Sequence, residues 1–452
     1  MQAGTKNMTV GNVRRVMISF ALPIFLSQTF QQLYNTADSL IVGNFLGKEA
    51  LAAVSSSFSL IQLLTSLMIG VAMGAGVVIS RCFGAEDYDT LSDAIHTTVA
   101  FGLAAGVAMS LLGVLLSPLL LRWMGTAPEV MADSVIYFRN YFIGALAVML
   151  YNVFTGIMNA LGDSRRPLYY LIFSSLLNVA LDLLFIVGFG WGVGSAAAAT
   201  AISQAASALL CYLYLRKPGT IYRLQLRRVR FHGGLMRQVV RMGLPTGVQN
   251  SVISLANVTV QSHINSFGAD AMAACGTYSK LQGFGFLPIM SFAMALTTFV
   301  SQNLGARQYE RAKEGARFGI TAMLILAEII GVILAIWSPV FVRWFNSDPE
   351  VVRIAVSQSR IENLFFFLLA FSHAVTGVCR GAGKSTVPMA VMLAVWCLLR
   401  IVYVSAAMAI SHDIRLLFWG YPLTWGVSSA IFLVYYLKSD WVHGFETGPA
   451  VS

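Results

Sequence analysis

Residues 15–43 form an apolar run long enough to cross a lipid bilayer as a helix, yet one carboxylate, Asp38, lies well inside it. An acidic residue near the middle of a membrane costs roughly 2.5 to 3.5 kcal/mol, so Asp38 is expected to face protein or water rather than lipid. At helical spacing, Gln31, Tyr34 and Asn35 share a face with Asp38. We interpret this polar stripe as pointing inward and as a feature of a functional site.

Runs of this kind recur along the whole chain of 452 residues, of which 57% are hydrophobic and 11% charged, with a mean hydropathy of +0.71. The composition excludes an ordinary soluble globule and predicts an all-α polytopic membrane protein. We predict twelve transmembrane helices, at 15–43, 50–80, 92–120, 133–160, 167–189, 191–215, 238–265, 271–301, 318–341, 354–379, 386–411 and 415–437. The sequence contains no Ser/His/Asp set, metal-ligand cluster or glycine-rich nucleotide motif, so we do not expect an enzyme.

The net charge of +10 does not indicate nucleic-acid binding, because the basic residues are concentrated in the segments on one side of the predicted membrane. If the N-terminus is cytoplasmic, 21 Lys and Arg residues fall in cytoplasmic segments and five in the opposite loops. The positive-inside rule therefore places both termini in the cytoplasm. The first apolar run is not followed by a small-residue cleavage site, so no removable signal peptide is expected.

An internal repeat divides the chain into two halves. At an offset of 221 residues, the segment beginning at Ser117-Pro118 matches the one beginning at Ser338-Pro339 with seven identities in fifteen positions, and Pro23 recurs as Pro245 with a one-residue slip. We predict an N-lobe (1–216), a basic cytoplasmic linker (217–237) and a C-lobe (238–452) that ends in a short cytoplasmic tail. Two parallel six-helix bundles are typical of transporters that rock around a central cavity, and Pro23 permits a bend in the first span.

The two halves differ at their ionisable residues. The repeat places Val260 where the first half has Asp38, and the seventh span carries only uncharged polar residues, among them Asn250 and Asn257. The fifth span contains a second acid within the membrane, Asp182, with Asn178 one turn before it. We infer that ion coupling resides in the N-lobe. Thr200 in the sixth span is interpreted either as a packing residue or as an oxygen ligand.

Several motifs together resemble the multidrug and toxic compound extrusion (MATE) family. They are TADSLIVGNFLGKEALAA after the first span, the FGA and LGA loops, and NALGDSRRP echoed by CRGAGKSTVP. The resemblance covers nearly the whole chain. It implies two pseudo-symmetric six-helix bundles around a central cavity, and export of organic cations or other amphiphilic small molecules in exchange for protons or sodium ions by alternating access.

The resemblance also implies a set of ion-coupling residues in the N-lobe. In this sequence they fall on Asp38, Tyr137, Asn178, Asp182 and Thr200. Tyr141, one turn from Tyr137, is the alternative tyrosine. If sodium is the coupling ion, Asp38, Asn178, Asp182 and Thr200 are expected to bind it, and no cofactor other than the coupling ion is expected. One departure from the sodium-driven subgroup is the lack of an acid in span seven, and span ten carries only Glu362, near its outer end.

Candidate substrate contacts come from polar stripes and from adaptable apolar side chains. They are Gln31, Tyr34, Asn35, Asn250, Asn257, Phe286 and Met290, each with simple packing as the alternative. The expected partners are lipophilic organic cations and membrane lipid but not nucleic acid, and the protein is expected to act as a monomer in the plasma (inner) membrane of a prokaryote. The alternative function is a flippase of lipid-linked saccharides, which would need several basic residues in its cavity. Only Arg139, Lys280, Arg360 and Arg400 lie within spans.

Overall fold

The computed structural model describes residues 7–123, 126 and 128–443, so the first six residues of the predicted N-lobe and the tail from residue 444 lie outside the described chain. In chain order the helices are α1 (Val13–Phe45), α2 (Lys48–Gly84), α3 (Tyr88–Trp123), α4 (Pro128–Ile143), α5 (Ala145–Ala160), α6 (Arg165–Asp182), α7 (Gly194–Leu215), α8 (Gly233–Asn265), α9 (Ala269–Gly305), α10 (Tyr309–Arg343), α11 (Pro349–Asn363), α12 (Phe366–Gly381), α13 (Thr386–Met392), α14 (Arg400–Ile410) and α15 (Ile414–Lys438).

Each of the twelve predicted spans coincides with one of these helices or with a broken helix. Among the described residues, nine helical segments are long and apolar enough to cross a membrane, and two bent pairs, α4 with α5 and α11 with α12, add two further spans. The remaining predicted span, the seventh, is α8, a helix of 33 residues with a more polar sequence. It is about 50 Å long, enough to cross a bilayer.

The chain folds into two compact units whose limits differ from those of the sequence repeat. Unit 1 contains Leu26–Gly247, and unit 2 contains Met8–Phe25 together with the chain from Val248 onward. The predicted lobes assign residues 8–25 to the N-lobe and residues 238–247 to the C-lobe. Packing therefore divides α1 and α8 between the two units, close to Pro23 and Pro245 respectively.

Unit 1 is held together by close packing of α2 to α7. The pair α3 and α4 meets where the ring of Phe142 lies against Gly113, and a Cβ added to that glycine would be 2.1 Å from a ring carbon. Phe138 and Phe142 are fully buried, with ring centroids 4.6 Å apart. Large aromatic side chains thus fill the space that a small residue on the facing helix leaves open.

A crossing of α2 with the first part of α8 completes unit 1, and it depends on four glycines. A Cβ added at Gly70 would lie 2.3 Å from the backbone nitrogen of Gly247, and one at Gly74 would lie 2.4 Å from that of Gly243. Both helices carry a GxxxG motif, and only glycine allows their backbones to approach this closely. This explains why the first part of α8 belongs to unit 1.

In unit 2, the first part of α1 is part of the hydrophobic core. Met17 and Phe20 are at most 1% exposed and pack in one cluster with residues of α9, α10 and α12. The segment before α1 is fastened by Arg311 of α10, whose guanidinium donates hydrogen bonds to the carbonyl oxygens of Met8, Val10 and Gly11 at 2.8 to 3.2 Å.

The repeat is visible in the backbone as well as in the sequence. Residues with positive φ recur at the offset of 221 residues. Gly47 (88°) pairs with Gly268 (92°), and Gly162 (82°) pairs with Gly383 (75°). The turns that these glycines permit join equivalent helices in the two halves.

The repeated Ser-Pro pair has a local structural purpose. Pro118 cannot donate a hydrogen bond to the carbonyl of Val114, and the hydroxyl of Ser117 donates to that oxygen instead, at 3.1 Å. In the other half, Ser338 donates to the Ala335 carbonyl at 2.9 Å, four residues before Pro339. Each serine satisfies the carbonyl that the following proline leaves without a donor.

We expect Ser338→Ala to lower the free energy of unfolding by about 1 kcal/mol, the usual net value of one hydrogen bond. Ser338 is fully buried, so water cannot replace its hydroxyl. The change is measured as the melting temperature of the purified protein in detergent. Ser338→Ala combined with Pro339→Ala restores the backbone donor and is expected to recover the lost stability; a double variant no more stable than the single one contradicts this explanation.

Two spans are broken in a way that the sequence did not indicate. The axes of α4 and α5 differ by 47°, and those of α11 and α12 by 52°. At the first break Gly144 lies so close to α7 that a Cβ would be 2.3 Å from the Cβ of Ala201. Near the second, a Cβ at Gly331 would be 2.2 Å from the carbonyl oxygen of Asn363. Close contact with a neighbouring helix accompanies each bend.

Candidate functional site

Three helices of unit 1 bring the predicted ion-coupling residues together. Asp38 lies in the second part of α1, Asn178 and Asp182 lie one turn apart near the end of α6, and Thr200 lies in α7. Directly after Asp182 the backbone changes to a π-helix over Leu183–Gly188. Such segments occur mostly at functional sites, because the inserted residue changes the direction of the side chains on the helix.

The carboxyl groups of Asp38 and Asp182 lie close enough to interact directly. Asp182 is fully buried, and the Oδ1 atom of each aspartate is shielded from solvent without a hydrogen-bond partner. In the described part of the chain, neither carboxyl group forms an ion pair with a basic side chain.

Asn178 links Asp182 to Thr200. With its amide in one orientation, Nδ2 of Asn178 is 3.3 Å from Oγ1 of Thr200. In the flipped orientation, Nδ2 donates to Oδ2 of Asp182 at 3.2 Å and the amide oxygen accepts from the Thr200 backbone nitrogen at 3.3 Å. The flipped orientation satisfies both polar atoms, and amide orientation is assigned from such partners. In this orientation the backbone of Thr200 is tied to Asp182 through the Asn178 amide.

Tyrosine side chains surround the acid pair. Tyr137 is buried and within electrostatic range of both Asp38 and Asp182. Tyr141 interacts with Tyr34 and Tyr137. The sequence predicted Tyr34 as a substrate contact, which stays a prediction; in the structure its hydroxyl lies near Thr200 and within electrostatic range of both acids. The spacing Tyr34-x3-Asp38 was the sequence signal that could have placed it in the acid cluster.

This arrangement can bind one small cation. Two carboxylates about 4 Å apart repel each other by roughly 4 kcal/mol at the effective dielectric constant of a protein site, and burial adds to that cost. A proton that binds to one carboxylate removes one of the two negative charges, and a sodium ion bound between the carboxylates offsets one of them with its positive charge. Oxygen atoms of Asp38, Asp182, Asn178 and Thr200 are hard ligands suited to a hard cation, and the two partnerless Oδ1 atoms fit either ion.

The predicted substrate contacts are divided between the two units. In unit 1, Gln31 is exposed and Asn35 is half-buried. In unit 2, Asn257 is exposed, whereas three others are half-buried, namely Asn250, Phe286 and Met290. The ring of Phe286 packs edge-on against His373 with centroids 5.0 Å apart. A packing contact of this kind accounts for the position of Phe286.

Unit 2 contains a different polar cluster, built around Glu362. Glu362 is buried, and its two oxygens accept hydrogen bonds from Gln358 at 2.8 Å and Gln282 at 3.1 Å. Arg400 is within electrostatic range of Glu362, and it donates to Oγ1 of Thr424 at 2.9 Å. Because amide donors satisfy both carboxylate oxygens, this cluster does not share the partnerless oxygens of the Asp38–Asp182 pair.

Similar proteins are found by sequence and by structure. The family model described as MatE matches residues 23–184 and 245–404, one segment in each half. The chain is 30% identical over 444 residues to the probable multidrug resistance protein YoeA of Bacillus subtilis, covering 96% of this chain and 95% of that protein. It is 26% identical over 395 residues to the probable multidrug resistance protein NorM of Thermotoga maritima, covering 86% and 84%.

A similar solved structure is described as the outward-facing conformation of a multidrug resistance MATE family transporter of the MOP superfamily. It superposes with a TM-score of 0.91 at 22% identity, covering 99% of this chain and 100% of that one. At this identity the likeness concerns the fold. The all-α membrane fold with two lobes, predicted from the sequence, is confirmed, and the number of membrane helices is consistent with twelve.

Proposed function

The chain belongs to the MatE family of multidrug transporters, and on this premise we propose that it is an antiporter that exports amphiphilic small molecules in exchange for protons or sodium ions. The family consists of transporters and not of enzymes. The observation that carries the proposal is the proximity of Asp38, which is half-buried, to Asp182, which is fully buried, with no basic partner for either among the described residues. No packing role requires two acids in contact inside a membrane helix bundle.

The coupling follows from competition between two states. When the acid pair holds a proton or sodium ion, its charge is compensated and the pocket can stay closed and dry. When the ion leaves, the repulsion between Asp38 and Asp182 favours a state in which water or a cationic substrate reaches them. Ion and substrate then stabilise opposite conformations, and each can shift the equilibrium only by its difference in affinity for the two.

The conformational step is proposed to involve the bend at Pro23. Pro23 lies in α1 close to the point at which the helix passes from unit 2 into unit 1. The same helix carries Asp38, about four turns further along. A change of charge at Asp38 acts on the part of α1 that belongs to unit 1, and the proline is the position at which that part can change direction.

We propose that the substrates are lipophilic organic cations. The protein is proposed to work as a monomer in the plasma membrane of a prokaryote, with both termini in the cytoplasm. A pocket with two acids and no basic partner in the described chain attracts cations. The excess of Lys and Arg in the segments on one side of the membrane supports the orientation.

The experiment that tests this function measures efflux of a fluorescent lipophilic cation from proteoliposomes containing the purified full-length protein. A proton gradient and a sodium gradient are imposed separately. We expect one of them to drive export against the substrate's own concentration gradient, up to a concentration ratio of about tenfold for each 1.4 kcal/mol that the ion gradient supplies. An ionophore that collapses the gradient is the control. If folded protein gives the same efflux under the proton gradient, under the sodium gradient and without a gradient, the result contradicts antiport and favours the flippase.

A further inference from the structure

A groove runs along the outside of α3, α5 and α7 in unit 1. Its volume is about 590 Å³, and apart from the Tyr212 hydroxyl all of its lining side chains are apolar. Ile202 and Leu209, which line it, are 46% and 55% exposed. In a helix that crosses a membrane, exposed apolar side chains of this kind face lipid. The groove is therefore open to the hydrocarbon of the bilayer.

The length of the groove corresponds to one leaflet. It extends along α7 from Ala201, beside the break at Gly144, to Tyr212, one turn before that helix ends. Eleven residues of helix measure about 16 Å, roughly half of the 30 Å hydrocarbon thickness of a bilayer. A single acyl chain of a membrane lipid has about this length and is apolar, as the lining of the groove is.

One end of the groove is formed by the linker. Leu226 lines the groove and is also the first residue of a short 3-10 turn, Leu226–Arg228. The two residues that follow it, Arg227 and Arg228, are exposed. Within the described chain, neither of their guanidinium groups makes a hydrogen bond, ion pair or ring contact. Two uncompensated positive charges thus lie next to the end of an apolar groove.

The turn that carries these arginines is fixed to the helix bundle. The backbone nitrogen of Gln225 donates to Nε2 of His96 in α3 at 3.0 Å, and the nitrogen of Leu224 donates to the carbonyl of Leu215 at 2.8 Å. Leu224 itself is only 1% exposed. The position of the two arginines relative to the groove is therefore set by the fold and not by a free loop.

We propose that this groove binds one acyl chain of an anionic glycerophospholipid, with its phosphate held by Arg227 and Arg228. A guanidinium binds phosphate through paired charge-assisted hydrogen bonds. The two charges also argue against a lipophilic cation as the occupant, because a cation at this end of the groove would be repelled. Anionic lipid on the cytoplasmic surface attracts basic segments next to membrane helices for the same electrostatic reason.

The test uses the full-length protein purified in a neutral detergent. Phosphatidylglycerol and phosphatidylcholine with identical acyl chains are titrated separately, and bound lipid is counted by native mass spectrometry while the melting temperature is recorded. We expect half-saturation by phosphatidylglycerol at a concentration at least tenfold lower than by phosphatidylcholine. Glycerol phosphate, which has the charge without the chains, is expected to leave the melting temperature unchanged.

Three variants separate the two parts of the site. Arg227→Gln combined with Arg228→Gln should abolish the preference for phosphatidylglycerol. Ala205→Trp, which fills the groove from an exposed position on α7, should weaken binding of both lipids. The matched control removes the same charge from unit 2, as Arg307→Gln with Arg317→Gln, and should keep the preference. Equal affinity for both lipids in the wild type, or a preference that survives loss of Arg227 and Arg228, overturns the proposal.

Discussion

Asp182→Asn is expected to reduce ion-driven efflux by about 5- to 150-fold, the range that corresponds to a coupling free energy of 1–3 kcal/mol. Asparagine has the size of aspartate but can neither take up a proton nor balance a sodium ion. Asp182 is fully buried, so a water molecule cannot take the place of the lost carboxylate oxygen. Asp38→Asn should have the same effect, because the two carboxyl groups are in contact and act as one site.

The measurement is efflux under an imposed ion gradient, compared with substrate binding to the same preparation. Asp89→Asn is the matched control, since Asp89 is exposed in the first turn of α3, a helix that carries none of the predicted ion-coupling residues. We expect the two site variants to melt at or above the wild-type temperature, because neutralising one acid removes a repulsion between the two carboxylates. Gradient-driven efflux at the wild-type rate in Asp182→Asn would mean that this pair does not couple ions.

The second large effect is expected from the glycine crossing of α2 and α8. Gly74→Ala should destabilise the protein by 2 kcal/mol or more, on the order of the upper range for overpacking. The added methyl carbon would sit 2.4 Å from the backbone nitrogen of Gly243, and backbone atoms cannot move aside as a flexible side chain can. The two helices would have to separate along the whole crossing.

Gly76→Ala is the control, two residues further along the same helix. A Cβ at Gly76 meets nothing within 4 Å, and alanine favours the helix by about 1 kcal/mol relative to glycine. Its melting temperature in detergent should therefore equal or exceed that of the wild type, whereas that of Gly74→Ala should fall. Equal melting temperatures for the two variants would show that the crossing tolerates a side chain.

Sequence reasoning located the helices well and their packing poorly. The twelve spans predicted from hydropathy are consistent with the helices of the described chain, since a stretch that must cross hydrocarbon is long and, apart from the more polar α8, apolar wherever it packs. The breaks at Gly144 and after Asn363 lack such a signal, because each depends on a contact with a residue distant in sequence. The GxxxG pairs at Gly70 and Gly243 were readable in the sequence, but nothing in it indicated that they face each other.

The candidate site was predicted in its composition and not in its geometry. A charge inside a membrane span is conspicuous, so Asp38 and Asp182 were found from hydropathy alone. The proximity of their carboxyl groups depends on how α1 and α6 pack, and so does the position of Tyr34 beside them. Glu362 illustrates the opposite case, because its sequence position suggested the outer end of a span while packing buries it between two glutamines.

The division of α1 and α8 between the two units bears on how such a chain arose. Residues 8–25 come from the first half and belong to unit 2, while residues 238–247 come from the second half and belong to unit 1. This is a reciprocal exchange of the kind seen in domain-swapped dimers. A six-helix ancestor built this way would have needed a second copy to complete its core, and gene fusion through the linker would have made that dependence permanent. Cutting the modern chain at the linker should therefore give two fragments that fold together and not separately.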